Sequence, residues 1–81
     1  MEFTVRTVAQ LGAVLRGFRD AQGLTQQALG ERAGLAQKSI SAMEHAPERS
    51  SVARLFQLLS GLEVELVLRR RGKTPSAPAE W

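Results

Sequence analysis

The sequence of 81 residues contains no cysteine, no tyrosine and a single histidine, His45. Without cysteine neither a disulfide nor a thiolate metal site can form, and one histidine cannot build a metal site by itself. One tryptophan and three phenylalanines are too few for a base-stacking platform that binds single-stranded nucleic acid. No nucleophile–base pair or phosphate loop is present. The sequence therefore predicts no metal, no cofactor and no enzymatic activity.

Long apolar runs and a targeting pattern are also missing. No stretch approaches the ~20 apolar residues of a membrane span, and the first residues lack the organisation of a signal peptide. We therefore expect a cytoplasmic protein, associated with the bacterial nucleoid when bound to DNA, with no membrane and no small-molecule substrate as partner. The net charge of +3 suits nucleic acid. A chain this short forms one small domain, and oligomerisation would add stability to its modest core.

Apolar spacing predicts a mainly α-helical chain. Residues 1–6 form an N-terminal arm, in which the alternation of Phe3 and Val5 with polar residues allows a brief strand. Thr7 and Gln10 have the spacing of a capping box and open a first helix, with a second helix over 26–33 and a third over about 37–45. A fourth follows Ser50 or Ser51. The inward residues predicted for the first and fourth helices are Val8, Leu11, Val14, Leu15 and Phe18, then Val52, Leu55, Phe56, Leu58, Leu59 and Leu62.

The central stretch, residues 24–44, has the features of a helix-turn-helix. Gly30 supplies a small residue where two helices cross closely, and Gly34 supplies a turn residue that tolerates positive φ. The second helix of the unit has apolar residues on one side and polar residues on the other, where the major groove of DNA would lie. This pattern predicts DNA binding. An ordinary small helical bundle with a glycine turn is the alternative.

The same stretch resembles the repressor-type helix-turn-helix family, which includes phage repressors and the Xre group. The resemblance covers about residues 11–62 and departs from the family pattern at Gly30, where alanine is usual, and at residues 45–47, where a glycine turn is common. It implies a lambda-repressor-like bundle of four to five helices over residues 7–62. The matching residues are Leu15, Arg16, Arg19, Gly23, Leu24, Thr25, Gln26, Leu29, Gly34, Ile40, Ser41 and Glu44.

The whole chain further resembles one branch of that family, the HipB-type antitoxins of toxin–antitoxin operons. These proteins have the same four helices, a strand and a flexible tail that ends in tryptophan, and residues 50–52, 62–66 and 80–81 stand in matching places. The resemblance implies an antitoxin that represses its own operon and restrains a HipA-like kinase toxin. A stand-alone Xre-family repressor without a toxin and an interaction adaptor that does not bind DNA stay open as alternatives.

The outward face of the third helix carries the predicted DNA readers. We expect Gln37, Lys38 and Ser41 to contact bases, since glutamine pairs with adenine and lysine with guanine in the major groove. In the family the residue matching Gln26 contacts a DNA phosphate, and the resemblance implies a largely buried ion pair between Arg19 and Glu44. The full set of predicted phosphate contacts is Gln26, Ser39, Arg49, Ser50 and Ser51.

The apolar period changes from helical spacing to alternation after Leu62, which predicts a β-strand over 63–70. No other segment offers this strand a partner, so we expect antiparallel pairing with a second copy about a two-fold axis. Such a homodimer would read a palindromic operator. The residues expected to form the apolar face of the paired strands are Leu62, Val64, Leu66 and Leu68.

Residues 71–81 are basic at first and then rich in proline, alanine and small polar residues, which predicts a disordered tail. Tryptophan is a frequent anchor at interfaces, and the HipB-type resemblance implies that such a tail can dock on the toxin. We therefore expect Trp81 to bind the toxin. A degradation signal is the alternative role for this tail.

Overall fold

The computed structural model describes residues 2–72, which contain four α-helices and one 3-10 turn. The helices are α1 (Val8–Ala21), α2 (Gln26–Ala33), α3 (Gln37–His45) and α4 (Val52–Leu62), and the 3-10 turn Pro47–Arg49 joins α3 to α4. The expected helix-turn-helix bundle is thus confirmed, and the predicted loop after α3 contains a turn of helix. None of the described helices is both long and apolar enough to cross a membrane.

Side-chain caps fix where the helices begin. At α1 the hydroxyl of Thr7 accepts from the amide of Gln10 at 3.1 Å, and the side-chain oxygen of Gln10 accepts from the amide of Thr7 at 3.1 Å. The predicted capping box is therefore confirmed. Thr25 caps α2 in the same manner, and Ser51 rather than Ser50 caps α4, with its hydroxyl accepting from an amide one turn later. These caps hold the N-termini of α2 and α4 in place.

The turn between α2 and α3 depends on Gly34. Its φ of 72° lies in the left-handed region, which glycine adopts at little cost. The amide of Leu35 then donates to the carbonyl oxygen of Gly30 at 2.9 Å and closes the end of α2. This short connection sets α3 at its angle to α2.

The core lies where α2 packs against α3 and α4 while α1 covers α3. Three residues predicted to face inward do not: Val8 is 47% exposed, Val52 is 68% exposed and Phe56 is 50% exposed. Phe56 lies about 100° around the helix from Leu55, off the buried stripe, while Val52 is the first residue of α4. Val8, the first residue of α1, is exposed for the same reason. The buried apolar residues are Leu15, Leu29, Ile40, Met43, Leu58, Leu59 and Leu62.

The segment after α4 differs from its prediction. No strand occurs within residues 2–72, and residues 64–71 have neither helix nor strand. Leu62 is the last residue of α4 and is buried in the core, so it does not belong to an extended apolar face. A strand needs a hydrogen-bonded neighbour, and residues 2–72 do not supply one here. Pairing with a second copy therefore stays a prediction, as does the tail, of which residues 73–81 lie outside the described range.

The N-terminal arm forms no strand over the described residues 2–6. Its Phe3 ring instead meets the ring of Phe18 edge to face, with centroids 5.3 Å apart. Glu2 forms an exposed ion pair with Arg69 at 3.6 Å. The arm thus lies beside α1 and reaches the segment that follows α4.

Candidate nucleic-acid interface

An open groove lies between the N-terminus of α2 and the outward face of α3. Its floor is made by side chains from both helices, so it exists only because the turn at Gly34 brings the helices together. Three residues predicted to read bases line it, together with one predicted phosphate contact. The complete lining is Gln26, Gln37, Lys38, Ser41, Ala42 and His45.

One face of α3 packs against the bundle, and the opposite face is open to solvent. Ile40 and Met43 are buried and hold the helix against the bundle, whereas Gln37 and Lys38 are exposed. The N-cap of α3 is Ala36, which has no side-chain cap. Ser39, a predicted phosphate contact, lies half-buried in the first turn of α3 and outside the groove lining.

The remaining predicted phosphate contacts form a second group, outside the groove lining. Arg49 is exposed at the end of the 3-10 turn, and Ser50 and Ser51 follow it directly. The hydroxyl of Ser51 already accepts from the amide of Arg54 at 3.1 Å, because it caps α4. Ser50 is half-buried. The structure thus keeps these residues together at the start of α4, where a helix N-terminus favours negative charge.

A buried ion pair lies beneath the groove. Arg19 Nε donates to Glu44 Oε2 at 2.6 Å, and Arg19 Nη2 donates to Glu44 Oε1 at 3.1 Å. The side chains are 11% and 2% exposed. Arg19 Nη1 also donates to the carbonyl oxygen of Leu24 at 2.8 Å, which ties α1 to the start of the helix-turn-helix. The pair therefore joins α1, α3 and the connection between α1 and α2.

The hydrogen bonds that Arg19 donates to Glu44 raise the pKa of Arg19 above its usual value, against the opposing effect of desolvation, with a further contribution from the charges of Glu44 and Asp20. The guanidinium consequently keeps its charge at every pH at which the protein would be studied. A second side chain shares the same carboxylate, since Gln26 Nε2 donates to Glu44 Oε1 at 3.1 Å.

Two features of the site were not anticipated from the sequence. A Cβ added to Gly12 would collide with the backbone carbonyl oxygen of Glu44, so glycine lets α1 approach α3 directly. His45 lines the groove, with its Nδ1 2.8 Å from the carbonyl oxygen of Ser41. The spacing of Lys38, Ser41 and His45 at i, i+3 and i+7 places them on one helix face, and this signal could have identified the histidine.

Comparison with known proteins bears on this geometry. A helix-turn-helix family model matches residues 15–68. The chain belongs to the Xre-type helix-turn-helix family. Members of this family are DNA-binding regulators and not enzymes, which confirms the family predicted from the sequence and the prediction that the chain is not an enzyme. Within the described residues of this Xre-type regulator, no cluster of three or more histidine, cysteine or acidic residues is arranged to hold a metal.

Curated relatives place the regulator within the family. Antitoxin HipB of Escherichia coli O6:H1 strain CFT073 is 32% identical over 59 residues, which cover 73% of this chain and 63% of that protein. Antitoxin HipB of Escherichia coli K12 is 30% identical over 59 residues, which cover 73% of this chain and 67% of that protein. The match thus spans about two thirds of these relatives.

A solved structure supports the same placement. The chain matches one from a structure described as the HipA–HipB–O2–O3 complex, with a TM-score of 0.82 and 25% identity. The match covers 88% of this chain and 100% of that chain. The fold of this Xre-type regulator is therefore that of HipB.

Proposed function

We propose that this protein is an antitoxin that represses its own toxin–antitoxin operon and binds a HipA-like kinase toxin. The groove carries the DNA-binding half of the proposal, because the exposed Gln37 and Lys38 and the half-buried Ser41 line it with no bulky apolar residue among them. The identity with antitoxin HipB and the fold shared with HipB in a complex with HipA support the antitoxin half.

The side chains in the groove suit double-stranded DNA better than other partners. Glutamine and lysine offer the hydrogen-bond donors and acceptors that match base edges in the major groove. Gln26 and the group at Arg49 to Ser51 lie on either side of α3 along the chain, where they can hold phosphates and set its register. Phosphate contacts of this kind supply affinity, and the exposed residues of α3 supply specificity.

A dimer completes the proposal. The exposed residues Leu66, Val67 and Leu68 lie beyond the bundle in residues 64–71, where none of the residues that the structure describes pairs with the backbone as a strand. Antiparallel pairing of this segment in two copies would relate two grooves by a two-fold axis. Recognition helices so related fit half-sites about one DNA turn apart, on a palindromic operator.

The decisive experiment measures binding to the DNA upstream of the protein's own gene. We expect tight binding. The logarithm of the association constant should fall linearly with the logarithm of the salt concentration, with a slope near −0.9 for each phosphate neutralised. Lys38→Ala should narrow the gap in affinity between operator and scrambled DNA, by about 1–3 kcal/mol per protomer. Arg32→Ala is the matched control, because Arg32 is exposed on α2 outside the groove lining.

Each alternative predicts a different result. An adaptor without DNA binding would show no salt-dependent affinity for any duplex. A stand-alone repressor would bind the operator, yet a pull-down from the native host would recover no kinase. Equal affinity of the wild-type protein for operator and scrambled DNA would contradict sequence-specific repression.

A further inference from the structure

The carboxylate of Glu44 accepts hydrogen bonds from two side chains with different surroundings. Arg19 approaches from the buried side with two donors, at 2.6 and 3.1 Å. Gln26 approaches from the groove, and its Nε2 lies 3.1 Å from Glu44 Oε1. The side chain of Glu44 is only 2% exposed, so its position is set by the packing of the bundle. A fixed, buried group thus holds one end of a side chain that lines the proposed DNA-binding surface.

This contact determines how the amide of Gln26 is oriented. A carboxylate paired with arginine can only accept, so the amide nitrogen of Gln26 must face it and the amide oxygen must face away. The amide nitrogen carries a second N–H, which can donate to a phosphate oxygen. Glutamine otherwise loses considerable rotamer freedom when it is fixed by a ligand, and here the protein has removed that freedom before DNA arrives.

We propose that Glu44, itself held by Arg19, is a positioning residue that pre-orients Gln26 for contact with a DNA phosphate. The inference rests on the proposed function and deepens it, because it assigns the buried ion pair a role in DNA affinity besides its role in packing. Pre-organisation raises affinity by lowering the entropy lost on binding. We expect the link to be worth about three- to tenfold in operator affinity, which corresponds to fixing one flexible side chain.

The test is a set of operator titrations in two backgrounds. The first is the wild-type chain, and the second carries Arg19→Met with Glu44→Met, which removes both charges together and leaves neither buried without a partner. Gln26→Ala is introduced into each. The second background lacks the Glu44 carboxylate that orients Gln26. Gln26→Ala should therefore reduce operator affinity there by a factor about three- to tenfold smaller than in the wild-type chain. Circular dichroism at the assay temperature establishes that every variant is folded.

Lys38→Ala is the matched control, since Lys38 lines the groove while the side-chain hydrogen bonds that Glu44 accepts come from Arg19 and Gln26. Its effect should be the same in both backgrounds. If the ion pair served only to hold α3 in place, the effects of Lys38→Ala and Gln26→Ala would change together. Equal losses from Gln26→Ala in the two backgrounds, or no loss in the wild-type chain, would overturn the inference alone. Wild-type protein that binds no DNA would overturn the proposed function and the inference together.

Discussion

Glycine serves opposite purposes at different positions of the helices. At Gly30 a Cβ would lie 2.5 Å from the carbonyl oxygen of Leu35, so the tight connection from α2 to α3 leaves no room for one. At Gly17 nothing lies within 4 Å, and the residue is exposed in the middle of α1. The first glycine is required by the turn, whereas the second only weakens its helix.

Alanine substitutions should therefore shift stability in opposite directions. Gly30→Ala should lower the free energy of unfolding by about 1–3 kcal/mol, because the backbone must move to admit the methyl group. Gly17→Ala should raise it by about 0.5–1 kcal/mol, because alanine loses less backbone entropy on entering a helix. Urea unfolding followed by circular dichroism measures both. A Gly30→Ala variant as stable as the wild-type protein would show that the turn relaxes without cost.

Removing one member of the buried pair should be far more costly than breaking a surface pair. Arg19→Met leaves Glu44 buried without its partner and should cost about 3–5 kcal/mol. Arg16→Met is the control, because the Arg16–Asp20 pair spans 3.7 Å with side chains 66% and 59% exposed, and it should cost less than about 1 kcal/mol. Chemical denaturation measures the free energy of unfolding of both variants. Equal decreases in the two would contradict the expectation.

The pH dependence of the contribution that Arg19 makes to the free energy of unfolding follows from its raised pKa. Because the pKa of Arg19 is higher in the folded protein than in the unfolded chain, the stabilisation from Arg19 is fully present below the unfolded pKa and is lost only as the pH rises through the folded pKa. The stability gap between the wild-type protein and the double variant with Arg19→Met and Glu44→Met, which leaves no buried charge, should consequently stay constant between about pH 6 and pH 9, as urea unfolding at several pH values would measure.

Contacts within one helical turn could be predicted from the sequence, and contacts between helices only in part. The capping box at Thr7 and Gln10 follows from spacing alone, because both partners lie three residues apart. The family resemblance implied a pair between Arg19 and Glu44, and the structure has one. The bond from Gln26 to Glu44 and the approach of α1 at Gly12 depend on tertiary geometry that no local pattern records.

The segment after α4 has no strand partner among the residues that the structure describes. Leu68 is 89% exposed, and its neighbour Val67 is exposed as well. In a strand paired with a second copy these two residues would point to opposite faces. Leu68 belongs to the predicted apolar face over the helices, together with Leu66 and the half-buried Val64.

Substitutions on the two faces should therefore differ in their effect on dimerisation. Leu68→Lys should weaken the dimer, because it places a charge on the face expected to pack on the bundle, whereas Val67→Lys should change it little. Sedimentation equilibrium at micromolar concentrations distinguishes the two. A wild-type protein that stays monomeric there would contradict strand pairing altogether.

The helices were predictable as elements because each has an apolar stripe of helical period. The exposure of Val52 was not predicted, because periodicity describes the stripe but not how far the neighbouring helices extend along it. Phe56 was assigned to the stripe although it lies off it. The strand failed to appear for a related reason. A helix satisfies its own backbone groups, but a strand depends on a partner, and alternation in the sequence cannot show whether that partner lies in the same chain.

At the scale of the whole molecule, the proposed antitoxin role requires a surface for the kinase. The resemblance to HipB-type antitoxins implies that Trp81, which lies outside the described residues, docks on the toxin. Trp81→Ala should then weaken the complex with a HipA-like kinase by about 2 kcal/mol or more, as expected for a buried tryptophan anchor. Calorimetric titration of purified partners measures the loss.

Glu80→Ala is the neighbouring control and should leave kinase affinity nearly unchanged, and operator affinity should be unaltered in both variants. Unchanged kinase affinity in Trp81→Ala would remove the docking role. A longer lifetime of that variant in the host, with unchanged kinase affinity, would identify a degradation signal instead.

The end of α4 has a consequence for how the molecule could measure DNA. Glu63 has a φ of 59°, in the left-handed region, and the amides of Glu63 and Val64 donate to the carbonyl oxygens of Ser60 and Leu59. These bonds fix the direction in which the chain leaves the bundle. In a dimer joined through the segment that follows, the backbone conformation at Glu63 would determine the distance between the two recognition helices. The permitted spacing of operator half-sites would then depend on a residue outside the groove.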